Sequence, residues 1–358
     1  MHRRHLLLAA PALLLAAPAR AAPDDAAFRA LNKAVVEGSI LPGYRAFATA
    51  TTSFAGALAA LAKSPAEPAA LAGARKGFTE SMLAWQGVQH LRFGPADLFS
   101  RHQRVQFWPD PEDTIGRDLA EAIARRDATL LDVRPNALTN VTTLGLPAAE
   151  RLLFGEEAAA RLAAADAEAA YRAALLGAIG GTLAAIARDT MEGWTSGENP
   201  YAAVMIEPRA PYAEPKDATV ELARALFWAV EGVAGRKLAR ALEAGQPRLL
   251  ESWRSGLSGQ NLAVNMAAAR QAYAPGFATA LEKAGQKDLA AQLTAGFEAA
   301  VAAANALPLP LEGMIADPAR REPVEALRRE AEGLKALLGQ PLAAALGIPQ
   351  GFGALSQD

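Results

Sequence analysis

The chain has 358 residues, of which 51% are hydrophobic and 21% are charged, with 36 basic and 38 acidic side chains. That length is enough for one large or two ordinary domains with a sizeable core. The nearly balanced charge, without a basic stripe, argues against a nucleic-acid partner. The chain has no cysteine, which excludes disulfides, thiolate metal sites and cysteine catalysis.

The first 21 residues have the composition of a cleavable signal peptide. Residues 1–5 are basic, residues 6–18 form a short apolar run, and residues 19–21 are an Ala-x-Ala cleavage site. The apolar run is too short to stay behind as a transmembrane anchor. The paired arginines in the basic part also fit a twin-arginine signal, so that route and the general secretory route both stay open. Cleavage leaves 33 basic against 38 acidic residues on a soluble periplasmic protein that starts at Ala22.

Most of the mature chain has the composition and spacing of helices. Alanine and leucine dominate and strand-like alternation is rare, which predicts an all-α fold. The apolar spacing predicts a helix over about 41–63 and a second over 68–91, joined by a short turn as an antiparallel pair in a bundle. Residues 92–113 break this pattern with prolines, aromatic rings and charges. We interpret them as a long loop that either carries function or closes one end of the bundle.

The stretch from residue 143 to residue 155 places one acid in an apolar, small-residue segment. Its spacing predicts a short helix over 147–154, with Glu150 and Arg151 as the only charges. Glu150 has two interpretations, either a site residue or an acid that favours the N-terminal turn of its helix electrostatically. A long helical pattern follows over 157–195. Its uncharged part, residues 173–187, is too short to span a membrane and is predicted to be a core helix.

The second half repeats the helical pattern after a break. Residues 199–217 contain four prolines without periodicity and are predicted to be a linker. Helices are predicted over about 218–243, 275–306 and 323–338. The sequence therefore predicts two helical bundles, over 22–198 and 218–358. An ancient duplication is compatible with this arrangement, although no strong self-similarity shows it.

Motifs of the common hydrolases and nucleotide enzymes are absent, and the histidines are few. There is no G-x-S-x-G elbow, phosphate-binding loop, dinucleotide fingerprint or H-E-x-x-H motif. The mature chain contains only His90 and His102, which are not spaced as metal ligands on one helix. They could still meet Glu150 or other carboxylates in space to form a site for iron or another divalent metal, with Glu150 and His90 as the candidate ligands.

Several short motifs, taken in order, resemble the imelysin-like family, also called the M75 peptidases. They are Trp85 followed by LRFGP at 91–95, FWPD at 107–110, GLPAAE at 145–150 before LLFG at 152–155, WRSG at 253–256, and GIPQGF at 347–352. The resemblance covers about residues 35–355. It implies two helical bundles with a site in the cleft between them, export from the cytoplasm, and an association with iron regulation or iron uptake.

The family's G-x-H-x-x-E hallmark is incomplete in this chain. Gly145 and Glu150 match the motif, whereas Pro147 stands where the histidine is expected, so only Glu150 carries over as a ligand. The departure argues against a catalytic metal centre, since a metallopeptidase needs several ligands, an open coordination position and a base.

Three functions follow as hypotheses. The first is a non-enzymatic binding or accessory protein in periplasmic iron or metal acquisition, which holds a metal ion or an anionic chelate between the bundles. The second is a metal-dependent peptidase of the M75 type. The third is a helical adaptor that docks another envelope protein, for example one of iron uptake. In the first, arginines would contact Glu150 or an anionic ligand, and the predicted cleft residues are Trp85, Arg92, Trp108, Asp110, Gly145, Glu150, Arg254 and Ser255.

Overall fold

The computed structural model describes residues 22–132 and 141–349. Within those ranges the regular structure is entirely helical and contains no strand, which confirms the all-α prediction. The predicted signal peptide, residues 1–21, and the end of the GIPQGF motif lie outside the described residues.

The helices of the first half are α1 (Asp25–Val35), α2 (Leu41–Lys63), α3 (Pro68–Gln86), α4 (Arg101–Val105), α5 (Thr114–Arg125), α6 (Leu146–Phe154), α7 (Ala158–Ala163), α8 (Ala167–Thr195) and α9 (Tyr201–Ile206). Those of the second half are α10 (Pro215–Glu231), α11 (Arg240–Ala244), α12 (Ser258–Tyr273), α13 (Thr279–Lys283), α14 (Lys287–Asn305), α15 (Glu312–Ala316), α16 (Glu322–Leu338) and α17 (Gln340–Leu346). Wider π-helical turns join α1 to α2, α10 to α11 and α12 to α13, over Val36–Ile40, Gly232–Ala239 and Ala274–Ala278.

Helices α2, α3, α6 and α8 pack together as the first bundle. The apolar stripe predicted on α2 is buried, including Phe47, Phe54 and Leu58. Close packing depends on Gly180 of α8, because a Cβ there would lie 2.9 Å from the Leu58 side chain and 3.1 Å from the Cα of Ala55. Small residues at this crossing therefore set the distance between α2 and α8.

The long helix predicted over 157–195 is in fact two helices. The chain turns at Ala165, which has a left-handed φ of 55°, and the Asp166 carboxylate then caps α8 by accepting from the backbone N–H of Ala169 at 2.8 Å. Helix α8 is long and apolar enough to span a membrane by composition, but 67% of its most apolar window is buried in the protein. It is the core helix that the sequence predicts.

Helices α1, α10, α12, α14 and α16 form the second bundle. Placing α1 here differs from the predicted N-terminal unit over 22–198. Asn32 of α1 is fully buried and holds α1 in place: its Nδ2 donates to the carbonyls of Met205 and Pro215 at 3.2 and 2.8 Å, and its Oδ1 accepts from Thr219 at 2.7 Å. Helix α1 thus belongs to the second bundle and runs through a π-helical turn into α2 of the first.

Two further differences concern the second half. The stretch predicted as a linker over 199–217 contains α9, which packs against α1 and α8. The helix predicted over 275–306 is interrupted at Gly285, which has a φ of 72° and separates α13 from α14. In contrast, α10, the π-helical turn and α11 continue one another over nearly the predicted length. This π-helical turn packs against α12 and α16, and its Lys237 side chain reaches Gln86 at the end of α3 in the first bundle.

Candidate functional site

Two neighbouring cavities lie between the bundles. The larger has a volume of about 630 Å³ and the smaller a volume of about 310 Å³. Trp108, Pro109 and Arg236 line both, so the loop after α4 and the π-helical turn after α10 form their common wall. Both volumes lie within the usual range for small-ligand sites, roughly 300–1,000 Å³.

Glu150 lies at the wall of the larger cavity and is 5% exposed. Its Oε1 accepts two hydrogen bonds from Ser255, from the backbone N–H at 2.8 Å and from the hydroxyl at 2.7 Å. Burial raises the pKa of Glu150, while the two Ser255 donors and then the nearby Arg254 and Arg151 act to lower it. The carboxylate therefore joins α6 of the first bundle to the loop before α12.

Gly145 allows α6, which carries Glu150, to pack closely against the end of α4. It precedes α6, and a Cβ at this position would lie 2.9 Å from the carbonyl oxygen of Val105 and 3.0 Å from that of Arg104. Only glycine lets the start of α6 approach the end of α4 this closely. Its role in the structure is packing, and it does not line either cavity.

The other acids of the larger cavity mostly have partners within the protein. Both carboxylate oxygens of Asp110 accept backbone N–H groups at the start of α5, those of Thr114 and Ile115, at 2.8 and 2.9 Å. Asp113 forms a short ion pair with Arg151. Asp110 is therefore a helix-capping residue in this structure, and its charge is already directed at α5.

Three arginines of the larger cavity, in contrast to most of its acids, have no oppositely charged partner among the described residues. Arg236, Arg240 and Arg254 line it, and among the described residues no carboxylate comes within 4.0 Å of any of them. The guanidinium of Arg254 lies over the ring of Trp253, 4.3 Å from its centroid. Burial lowers the pKa of Arg254, and the positive charge of Arg151 adds to that effect. Arg254 therefore influences Glu150 through its charge, without a direct ion pair. The hydrogen bonds to the Glu150 carboxylate come from Ser255.

The smaller cavity is more strongly cationic. Arg92 and Arg236 line it together with the rings of Trp108 and Trp228, and the guanidinium of Arg236 lies 5.0 Å from the Trp228 ring centroid. Burial lowers the pKa of Arg92, and the charge of Arg236 lowers it further. The two arginines are therefore close enough to repel each other.

His90 and His102 also line the smaller cavity, and both are held neutral. Burial lowers the pKa of His90 to about 4, with a further contribution from Lys237. Burial lowers the pKa of His102 to about 3, and Arg92 adds to the shift. His102 Nε2 lies 2.8 Å from the carbonyl oxygen of Gln89; since a carbonyl only accepts, the neutral ring donates through Nε2. The positive charge of the cavity at neutral pH comes from arginine and lysine.

A buried polar network lies beside the smaller cavity and crosses between the bundles. Lys237 Nζ lies 2.7 Å from Glu251 Oε2, and both side chains are under a tenth exposed. The same ammonium donates to Gln86 Oε1 and Asn265 Oδ1, each at 2.6 Å. Glu251 Oε1 accepts from Gln106 Nε2 at 2.8 Å. Side chains from α3, the loop after α4, the π-helical turn, the loop before α12 and α12 itself therefore meet in one network.

Trp85 belongs to this network, and it does not line a cavity. It is 3% exposed, and its Nε1 donates to Gln106 Oε1 at 2.5 Å. Its ring packs against Phe47 and His102, with centroid separations of 5.3 and 5.0 Å. The prediction that Trp85 lines the cleft is corrected on this geometry, because its side chain lies behind the cavity wall.

Five of the eight predicted cleft residues line a cavity: Glu150, Asp110 and Arg254 line the larger one, Arg92 lines the smaller one, and Trp108 lines both. The other three, Ser255, Gly145 and Trp85, lie outside the two cavities. Whether either cavity binds a ligand stays a prediction.

The residues present do not fit a directly bound metal ion. Among residues 22–132 and 141–349, no three His, Asp or Glu side chains come together as a ligand set. The two candidate ligands, Glu150 and His90, line different cavities. Glu150 is also engaged by Ser255. The metal site expected from these two residues is therefore not supported by the donor geometry.

Arg236, Lys237 and Glu251 also line the smaller cavity and are not among the residues predicted from the sequence. A signal for Lys237 was present, because it follows Val230, Val233 and Ala234 in helical register on a buried face. A charged residue at a core position needs a partner. Its partner, Glu251, lies two residues before the WRSG motif, in which the sequence predicts only Arg254 and Ser255 as cleft residues.

Comparison with known proteins identifies the family. The imelysin (peptidase M75) family model matches residues 40–338, most of the chain. This chain belongs to the imelysin family. No curated protein matches it.

Two solved structures share the imelysin fold with this chain. An imelysin-like protein from Psychrobacter arcticum 273-4 has a TM-score of 0.76 at 18% identity, covering 92% of this chain and 98% of its own. The second is described as "a putative iron-regulated protein A precursor" from Parabacteroides distasonis ATCC 8503. It has a TM-score of 0.76 at 17% identity, covering 91% of this chain and 96% of its own. At these identities the similarity shows the fold.

Proposed function

We propose that this imelysin-family chain is an exported, non-enzymatic binding protein of periplasmic iron or metal acquisition. Its ligand is an anionic metal chelate held in the larger cavity between the two bundles. The export and the metal role rest on the signal-peptide pattern of residues 1–21, on family membership, and on a structural relative described as an iron-regulated protein precursor.

The observation that carries the proposal is that most acids of the larger cavity have partners within the protein, whereas two of its arginines have no carboxylate partner among the described residues. Glu150, Asp110 and Asp113 are engaged by protein donors, whereas Arg240 and Arg254 have no carboxylate within 4.0 Å among the described residues. A bare cation would need several free acidic ligands, and of the four acids that line this cavity only the side chain of Glu112 has no protein donor among the described residues. Free guanidinium groups instead favour the carboxylate or similar oxygens of a chelated metal.

The same chemistry disfavours the alternative of an M75-type peptidase. Activation of water by a metal requires several protein ligands that leave one coordination position open. The described residues offer no such set, so no hydrolytic step follows from the geometry. An adaptor role has no specific observation in its favour.

The test is an isothermal titration calorimetry experiment on the mature protein with ferric dicitrate and, separately, ferric–EDTA, which are both anions at neutral pH. The decisive variants are Arg254→Gln and Glu150→Gln. Loss of the Arg254 charge removes a charged hydrogen bond to the chelate, so affinity should fall by about tenfold or more.

Glu150→Gln is the matched control, because a glutamine Oε1 can still accept both Ser255 hydrogen bonds. It removes the negative charge from an anion-binding cavity, so chelate affinity should stay the same or rise. If Glu150→Gln abolishes binding while Arg254→Gln leaves it intact, Glu150 is a metal ligand and the chelate proposal is wrong.

A further inference from the structure

The smaller cavity is the second place where charge is left without a protein partner. Its lining contains four cationic side chains, and two of them have acidic partners: Lys237 pairs with Glu251 at 2.7 Å and Arg224 with Glu221 at 2.5 Å. Within the described residues, Arg92 and Arg236 have no carboxylate within 4.0 Å. Arg236 is half-buried and Arg92 is exposed, and two guanidinium groups that repel each other at one cavity cost stability, which is typical of a site that an anion completes.

We propose that the smaller cavity binds a small, multiply charged carboxylate without metal, held by the guanidinium groups of Arg92 and Arg236. Each planar guanidinium offers a pair of N–H groups that matches one carboxylate. A ligand with two or more carboxylates on a short carbon skeleton can engage both arginines at once and offset their repulsion.

The remaining walls of the cavity favour a carbon skeleton over a compact inorganic anion. Trp108 and Trp228 contribute aromatic rings, and Ala229 and Gly232 contribute an apolar stretch of α10 and the π-helical turn. The histidines in the wall are neutral at neutral pH and do not add charge. The volume of about 310 Å³ accommodates a ligand at the small end of the usual range.

The position of the cavity relative to helix ends argues against phosphate. Phosphate sites commonly use the backbone N–H groups at a helix N-terminus. Here the adjoining helix end is the C-terminus of α3 at Gln86, three residues before Gln89 of the cavity wall, and α10 contributes residues from within a helix that continues into the π-helical turn. Helix C-termini carry partial negative charge and disfavour a compact, doubly charged anion.

The experiment is isothermal calorimetry in metal-depleted buffer at pH 7, with citrate, tricarballylate and inorganic phosphate as separate probes at matched ionic strength. We expect one equivalent of either carboxylate to bind. Arg92→Gln and Arg236→Gln should each weaken that binding by about 10- to 100-fold, the usual range for a lost charged hydrogen bond. Arg270→Gln is the matched control, because Arg270 lines neither cavity and pairs with Glu298 at the protein surface, and it should bind as wild type does.

Folding of the variants is checked by thermal melting without ligand. Removing either repelling charge should leave the melting temperature unchanged or raise it. Should a glutamine variant fail to fold, Arg92→Lys keeps the charge and loses the planar fork, and it should still bind several-fold more weakly than wild type.

Three results would overturn the proposal: no binding of either carboxylate to the wild type, tighter binding of phosphate than of the carboxylates, or unchanged binding in both Arg92→Gln and Arg236→Gln. The outcome is separate from that of the proposed function. If metal-free carboxylates bind and the ferric chelates do not, only the proposed chelate role of the larger cavity is refuted. If the ferric chelates bind and the metal-free carboxylates do not, only the carboxylate site in the smaller cavity is refuted.

Discussion

The buried pair of Lys237 and Glu251 gives the strongest prediction about stability. Lys237→Met removes the ammonium and leaves the Glu251 carboxylate with the amides of Gln106 and Asn261, at 2.8 and 3.3 Å. The two side chains are 7% and 3% exposed, so bulk water solvates the remaining carboxylate poorly. Breaking a buried ion pair from one side costs about 3–5 kcal/mol, and we expect Lys237→Met to lower the free energy of unfolding by that amount.

A double-mutant cycle separates the interaction energy of the ion pair from the packing contribution of each side chain. Lys237→Met combined with Glu251→Gln removes both charges, so the double variant should be about 2–3 kcal/mol more stable than the sum of the single effects predicts. The assay is urea unfolding at pH 7 followed by far-ultraviolet circular dichroism. Strictly additive effects, or a Lys237→Met variant as stable as the wild type, would refute the reasoning.

A more exposed ion pair provides the control. Lys335 Nζ lies 3.0 Å from Glu231 Oε2, with side chains 26% and 21% exposed. Because solvent screens this pair, Lys335→Met should cost no more than about 1 kcal/mol. A comparable loss in both lysine variants would mean that burial does not set the cost.

Two further predictions concern acid stability and packing. The pKa values of His90 and His102, about 4 and about 3, lie below the usual 6.5, so the unfolded chain takes up protons first as pH falls. The contribution of each neutral histidine to the free energy of unfolding is complete above pH 6.5 and is lost as the pH falls toward 4 for His90 and toward 3 for His102. By pH 5 the loss is about 2 kcal/mol per histidine. Glutamine at either position should therefore make the free energy of unfolding change less between pH 7 and pH 5. The raised pKa of Glu150 acts in the opposite direction at lower pH. Gly145→Ala should cost about 1–3 kcal/mol in urea unfolding, since its Cβ would lie 2.9 Å from the Val105 carbonyl, whereas Gly73→Ala, with open space around it, should not destabilise the protein.

The sequence was most informative where structure is local. The apolar spacing predicted α2 and the start of α3 closely, because burial of a helical stripe leaves a periodic pattern in the chain. It also predicted that Glu150 lies in a short helix. It did not predict the break at Ala165, since a left-handed alanine has no composition signal.

Contacts between distant segments could not be predicted in the same way. Asn32 binds the carbonyl of Pro215 across 183 residues, and no local pattern indicates that α1 belongs with the second bundle. Likewise, Arg254 was chosen as a partner of Glu150 from charge alone. In the structure the neighbouring Ser255 makes the hydrogen bonds. The choice between adjacent residues of a loop depends on backbone geometry that charge does not encode.

The central claim is that the larger cavity recognises an anionic chelate rather than a bare metal ion. The most direct test is to compare, on the wild-type mature protein, the affinity for ferric–EDTA with the affinities for ferrous, zinc and cupric ions added alone. Our account predicts saturable binding of the ferric chelate at one equivalent, weakened by rising salt, and no stoichiometric binding of the bare ions. Stoichiometric binding of a bare ion, with no binding of the chelate, would contradict it.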